Sequence, residues 1–88
     1  MAERMTLEDF QNISYDNQQE QLYYRGSLLA NRYEENFIYL LYALDSFYVE
    51  LQYDSLRNRL LRLSAFYSTD LLLPYLPLLP DDLLQELD

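Results

Sequence analysis

Phe47-Tyr48-Val49-Glu50-Leu51-Gln52-Tyr53 is the stretch on which the fold turns. Phe47, Val49, Leu51 and Tyr53 alternate with Tyr48, Glu50 and Gln52. That period of two gives a strand with one apolar face and one wetter face. Upstream, Phe37 to Leu44 is a continuous apolar run rich in aromatics, and Asp45-Ser46 supplies a turn between the two. Downstream, Asp54-Ser55-Leu56-Arg57-Asn58 reads as a loop. Arg59 to Tyr67 follows as a further strand, with Leu61, Leu63 and Ala65 on one side and Arg62 and Ser64 on the other. Ser27 to Tyr33 can add a leading strand, with Glu34-Glu35-Asn36 as its turn.

Pairing registers can be tested on paper. With Tyr53 opposite Arg59, Leu51 meets Leu61, Val49 meets Leu63, and Glu50 faces Arg62 on the outer side. Apolar then meets apolar and acid meets base. The first hairpin has two solutions. A two-residue turn sends Ile38, Leu40 and Tyr42 inward, and a one-residue slip sends Tyr39, Leu41 and Ala43 there. Both sets are apolar, so the pattern does not choose.

On either side of the sheet the chain reads as helical. Thr6 with Asp9 three residues on resembles a capping box, and Ser14 with Asp16 behind it reads as a second helix start. Tyr15 to Arg25 carries a weak stripe of Tyr15, Gln18/Gln19, Leu22 and Tyr23. Gly26, the sole glycine, stands where a left-handed helix C-cap is expected. Beyond the sheet, Ser68 or Thr69 can cap a short helix over Asp70 to Leu76, or that helix can begin near Pro74. Asp81 to Leu87 reads as a last helical turn or two. The chain is thus one α+β domain over 1–88, helical at 6–25, antiparallel sheet at 27–68 and a Leu/Pro-rich helical tail at 69–88. The sheet is a three- or four-stranded antiparallel meander. Short C-terminal helices cover one face, with helices expected on one side only.

Composition narrows the chemistry. The 88 residues contain no cysteine, no histidine and no lysine, and all six cations are arginine. Disulfides, thiolate or imidazole metal sites, Schiff bases and lysine-bearing phosphate loops are therefore excluded. No serine has an imidazole, thiol or lysine to activate it. Glu34-Glu35 and Asp81-Asp82 are neighbours in sequence, not two carboxyls across a cleft, and read as a solvated turn and a charged helix start. The expectation is a protein that is not an enzyme and needs no cofactor or metal. A net charge of −9 disfavours nucleic acid and anionic membranes as direct partners. No leader or spanning segment is legible, so a cytoplasmic setting is expected.

The ten tyrosines are the unusual feature. Tyrosine is a good strand residue, but it is also enriched at interfaces. Tyr48, Leu60 and Phe66, with Tyr39 or Tyr42, make the outer sheet face too apolar to stand fully wet, so a partner or the tail should cover it. The Pro74, Pro77, Pro80 spacing suits either a polyproline ligand or a leucine-rich tail folded back over the sheet. The leading expectation is an acidic interaction module of adaptor or immunity-protein type, docking a basic protein partner through Tyr39, Tyr48, Glu50, Asp54 and Phe66. Alternatives are a homo-oligomer, such as a homodimer, pairing through an edge strand, and a nucleic-acid mimic. The F-Y-V-E strand, the L-x-R-L-x-A-F strand (Leu60 to Phe66) and the S-T-D-x-L-x-P-Y-L segment (Ser68 to Leu76) resemble small uncharacterised bacterial helix–meander–helix proteins. That resemblance implies a fold and no activity.

Overall fold

Three short turns and two capped helices organise the chain in a computed structural model that describes residues 4–79. Strands β1 (Ser27–Glu34), β2 (Phe37–Leu44), β3 (Phe47–Asp54) and β4 (Arg59–Phe66) form one antiparallel sheet in the order β1-β2-β3-β4. Each turn holds one residue in the left-handed region: Glu35 and Asp45 at φ 53°, Asn58 at φ 51°. Asp and Asn adopt that conformation more readily than most residues.

The β2/β3 hairpin takes the two-residue turn. Leu44 pairs with Phe47, Tyr42 with Val49 and Leu40 with Leu51. The β3/β4 pairing corrects the register expected from the sequence. Leu51 opposes Leu63, Val49 opposes Ala65, and Glu50 opposes Ser64 rather than Arg62. The cause lies in the loop. Asp54 Oδ1 accepts from the backbone N–H of Leu56 (2.9 Å) and of Arg57 (3.2 Å), which closes the turn early and pairs Asp54 with Arg59. The register then shifts between Gln52 and Tyr53. Leu61 is the extra residue of this bulge, and a bulge leaves its extra residue unpaired. Leu60 therefore joins the helix-side core instead of sharing a face with Arg62, and Leu61 stands 46% exposed.

Helix α1 (Leu7–Asn12) starts in the expected capping box: Thr6 Oγ1 accepts from Asp9 N at 3.0 Å, and Thr6 N donates to Asp9 Oδ2 at 3.2 Å. Ser14 caps α2 (Tyr15–Arg25), its hydroxyl accepting from Asn17 N. Gly26 ends α2, but in an extended conformation (φ −74°) rather than a left-handed one. Its need for glycine is proximity: a Cβ there would sit 2.7 Å from the Leu22 carbonyl oxygen. Gly26→Ala is expected to destabilise the fold by about 1–3 kcal/mol, the range for overpacking. Urea denaturation measures this, and an unchanged midpoint would refute it.

The helices lie on both faces of the sheet, not on one. Phe10 of α1 and Leu22 of α2 pack on Leu44, Phe47, Val49 and Leu51. On the opposite face a 3-10 helix, Thr69–Leu78, packs Leu72 and Tyr75 on Ala30, Leu41 and Phe66. The reason is the β2 run, apolar at odd and even positions alike, which cannot leave either face wet. The tail forms one helix capped by Ser68 and runs through Pro74 and Pro77 without breaking. With three residues per turn, Leu72 and Tyr75 share the buried side while the two prolines share another. The tail thus folds back on the sheet. The turn expected over Asp81 to Leu87, and Pro80 before it, lie outside the described residues. No helix among the described residues is long and apolar enough to cross a membrane.

Candidate interaction site

The face under the 3-10 helix holds four of the five residues singled out from the sequence. Tyr48 and Phe66 stack with ring centroids 5.8 Å apart. The Tyr39 hydroxyl accepts from Gln52 Nε2 at 3.2 Å, and its ring lies 4.0 Å from the Arg32 guanidinium carbon. Glu50 accepts from the Tyr75 hydroxyl at 2.6 Å and stands 3.6 Å from Arg32 Nη2. Asp54, the fifth, is committed to the β3/β4 turn, with Arg57 Nε at 3.9 Å. The apolar outer face is therefore covered by the chain's own C-terminal helix.

Arg32 is the hub of this face. Its guanidinium lies between the Tyr39 and Tyr75 rings and pairs with Glu34 as well as Glu50. Cation–π contact and charge pairing act together there. Burial works against the guanidinium charge, but the bonds to Glu34 and Tyr75 outweigh it, and the net shift of its pKa is upward. Its Nε is buried with no acceptor among the described residues. Tyr75 is wholly buried. Its hydroxyl is held far above the ordinary tyrosine range, first by burial and then by its bond to the Glu50 carboxylate. This arrangement locks the 3-10 helix to β1 and β3. Beside it a groove of about 440 Å³ is lined by Arg32, Arg62, Glu50 and Asp70 together with Phe66, Leu71, Leu73 and Pro74. Among the described residues, two cations and two acids line that groove, and neither sign dominates.

A second cleft, not anticipated from the sequence, opens between α2 and the sheet. It is about 340 Å³, lined by Gln19, Glu20, Leu22, Tyr23, Tyr42, Leu51 and Tyr53. Among the described residues its only charged lining group is the Glu20 carboxylate. Leu22 and Leu51 form its floor as part of the core. Tyr23 was expected in the inward stripe of α2, but it stands 83% exposed at the rim, edge-on to Tyr24 with centroids 5.0 Å apart. Burial raises the Tyr42 hydroxyl, with Tyr53 adding to the effect. Burial likewise raises Tyr15, with Tyr53 and then Asp16 adding. The missed signal was tyrosine replacing leucine at Tyr42 and Tyr53 on the helix-side face.

Among the described residues no group of three or more carboxylates is placed to hold a metal ion. Comparison with known proteins finds no matching family model, no matching curated protein and no matching solved structure.

Proposed function

We propose that this chain is a non-catalytic interaction module, of adaptor or inhibitor type, which docks a basic segment of a protein partner in the α2/β3 tyrosine cleft. The carrying observation is the cleft's lining: three tyrosines and two leucines around Glu20, with no cation among the described residues. Tyrosine faces attract guanidinium and ammonium groups, and desolvated tyrosines are common interface anchors. The surrounding net charge of −9 would speed encounter with a positive partner. The residues engaged beneath the 3-10 helix have partners within the chain, which favours the opposite side of the sheet for docking. A cytoplasmic setting belongs to the same reading.

The test is an NMR titration of the full chain with a six-residue oligo-arginine peptide. Amide shifts should concentrate at Glu20, Tyr23, Tyr42 and Tyr53. Tyr23→Ala, at an exposed position, should weaken binding by about 2- to 5-fold, the worth of one exposed cation–π contact. Small shifts spread evenly over every acidic residue would reject the cleft as the site.

A further inference from the structure

The two outer strands of the sheet carry opposite charge at the same end. Following the pairings across the sheet, Glu34 opposes Phe37, Phe37 opposes Asp54, and Asp54 opposes Arg59. One row therefore runs from a carboxylate on the β1 edge to a guanidinium on the β4 edge. Sequence extends both ends of that row. Glu35 follows Glu34 in the first turn, and Arg57 and Arg62 flank Arg59. Three of the chain's six cations thus lie within six residues at one corner of an acidic molecule.

These charges are available. Arg59 and Arg62 are exposed, and neither has an ion-pair partner among the described residues. Among the described residues Arg57 reaches only Asp54, at 3.9 Å, with its side chain 75% exposed. The Glu34 side chain is 60% exposed although it also meets Arg32. Edge strands present unpaired backbone donors and acceptors, so β1 and β4 each offer a template for another strand.

We propose that copies of this chain associate edge to edge, with β4 of one copy against β1 of the next. All pairings within the sheet are antiparallel, so β1 and β4 run in opposite directions. A second copy displaced sideways continues the sheet in the same antiparallel sense, and its Glu34 and Glu35 arrive beside Arg59 and Arg57. The next row inward, Arg32–Tyr39–Gln52–Arg62, brings Arg62 near the next copy's Arg32, whose charge is already met by Glu34 and Glu50. A two-fold pairing of β4 with itself sends its arginines to opposite ends and gives them no carboxylate. The head-to-tail arrangement is therefore the one that pairs the charges, and it is heterologous, so it does not stop at two copies. The register shifts in β1, between Leu28 and Ala30, and in β4 restrict regular pairing to a few residues. The association is accordingly weak and concentration-dependent.

Sedimentation velocity of the full chain at a dilute and a concentrated loading tests this. Average mass should climb past that of a dimer at the higher loading. Arg59→Glu/Arg62→Glu and, separately, Glu34→Gln/Glu35→Arg should sediment as monomers at both loadings. An equimolar mixture of the two should associate again, because one intact edge of each kind remains, and this recovery separates lost pairing from lost folding. A wild-type chain monomeric at both loadings overturns the proposal. So does a species that stops at a dimer, association that survives both edge variants, or a mixture that stays monomeric while both variants keep the wild-type circular dichroism. The oligo-arginine titration reads a different surface, so either result can fail without the other.

Discussion

Phe47→Ala is expected to cost about 3–5 kcal/mol of folding stability. Phe47 begins β3 at 1% exposure, and its ring lies 5.4 Å from that of Phe10, itself fully buried in α1. The two rings meet at 54°, a tilted geometry that aromatic pairs favour over face-to-face stacking. Truncation leaves a hole between helix and sheet that α1 cannot readily fill. Its entry is fixed by the Thr6 capping box, and the N–H of Met5 just before it donates to Asp45 Oδ2 at 2.6 Å. Arg25 of α2 reaches the same carboxylate oxygen at 2.7 Å, so one turn residue holds both helix-side segments. A domain of this length has about 4–13 kcal/mol of total stability at ordinary per-residue values, so a large part is at stake. Urea denaturation of Phe47→Ala, Phe10→Ala and the double variant measures it. The double variant should lose less than the sum, by roughly 0.5–1.5 kcal/mol, because each single change already breaks the ring contact. A loss under about 1 kcal/mol for Phe47→Ala would mean that α1 is not anchored through this residue.

What could be read from the sequence was local. The Thr6 and Ser14 caps, the Asp45-Ser46 turn, the alternation of Phe47 to Tyr53 and the Ser68 cap each depend on residues within a few positions. All of them stand in the structure. The β3/β4 register failed because Leu60 and Leu61 are the same residue type. Either can fill the core position, and the choice is made by a side chain in the loop, Asp54, bonding to the backbone. The expectation of helices on one side failed although its contradiction was visible in β2, whose odd and even positions are both apolar and need cover on both faces. Tyr48, Glu50 and Phe66 share the outer face as read, Tyr39 rather than Tyr42 joins them, and Leu60 does not. What lies over them was left open, because the contact of Tyr75 with Glu50 spans 25 residues of sequence and has no short-range signature. The tyrosine cleft was missed for the same reason, since it is assembled from α2, β2 and β3.

The alkaline limb of the stability curve should be governed largely by Tyr75. In the folded chain its hydroxyl donates to Glu50 Oε2, and ionising it would set a buried phenolate against a carboxylate. Burial, the Glu50 bond and the Glu50 charge all raise its pKa, and Arg32 lowers it without cancelling them. Unfolded, the same tyrosine titrates near its ordinary value of about 10. The folded state therefore keeps a proton that the unfolded state releases. Its contribution is fully present below about pH 10 and is lost as pH rises toward the elevated folded value, at about 1.4 kcal/mol per pH unit. Tyr42 and Tyr15 shift in the same direction and add to the slope. Tyr75→Phe keeps the buried ring but removes the charge-assisted bond, at an expected cost of about 1.5–3 kcal/mol at neutral pH. It should also flatten the decline between about pH 10 and pH 11.5, because phenylalanine has no proton to retain. Urea midpoints of wild type and Tyr75→Phe across that interval check both effects. Parallel declines would show that Tyr75 ionises freely in the folded chain and that the Glu50 bond does not lock the C-terminal helix.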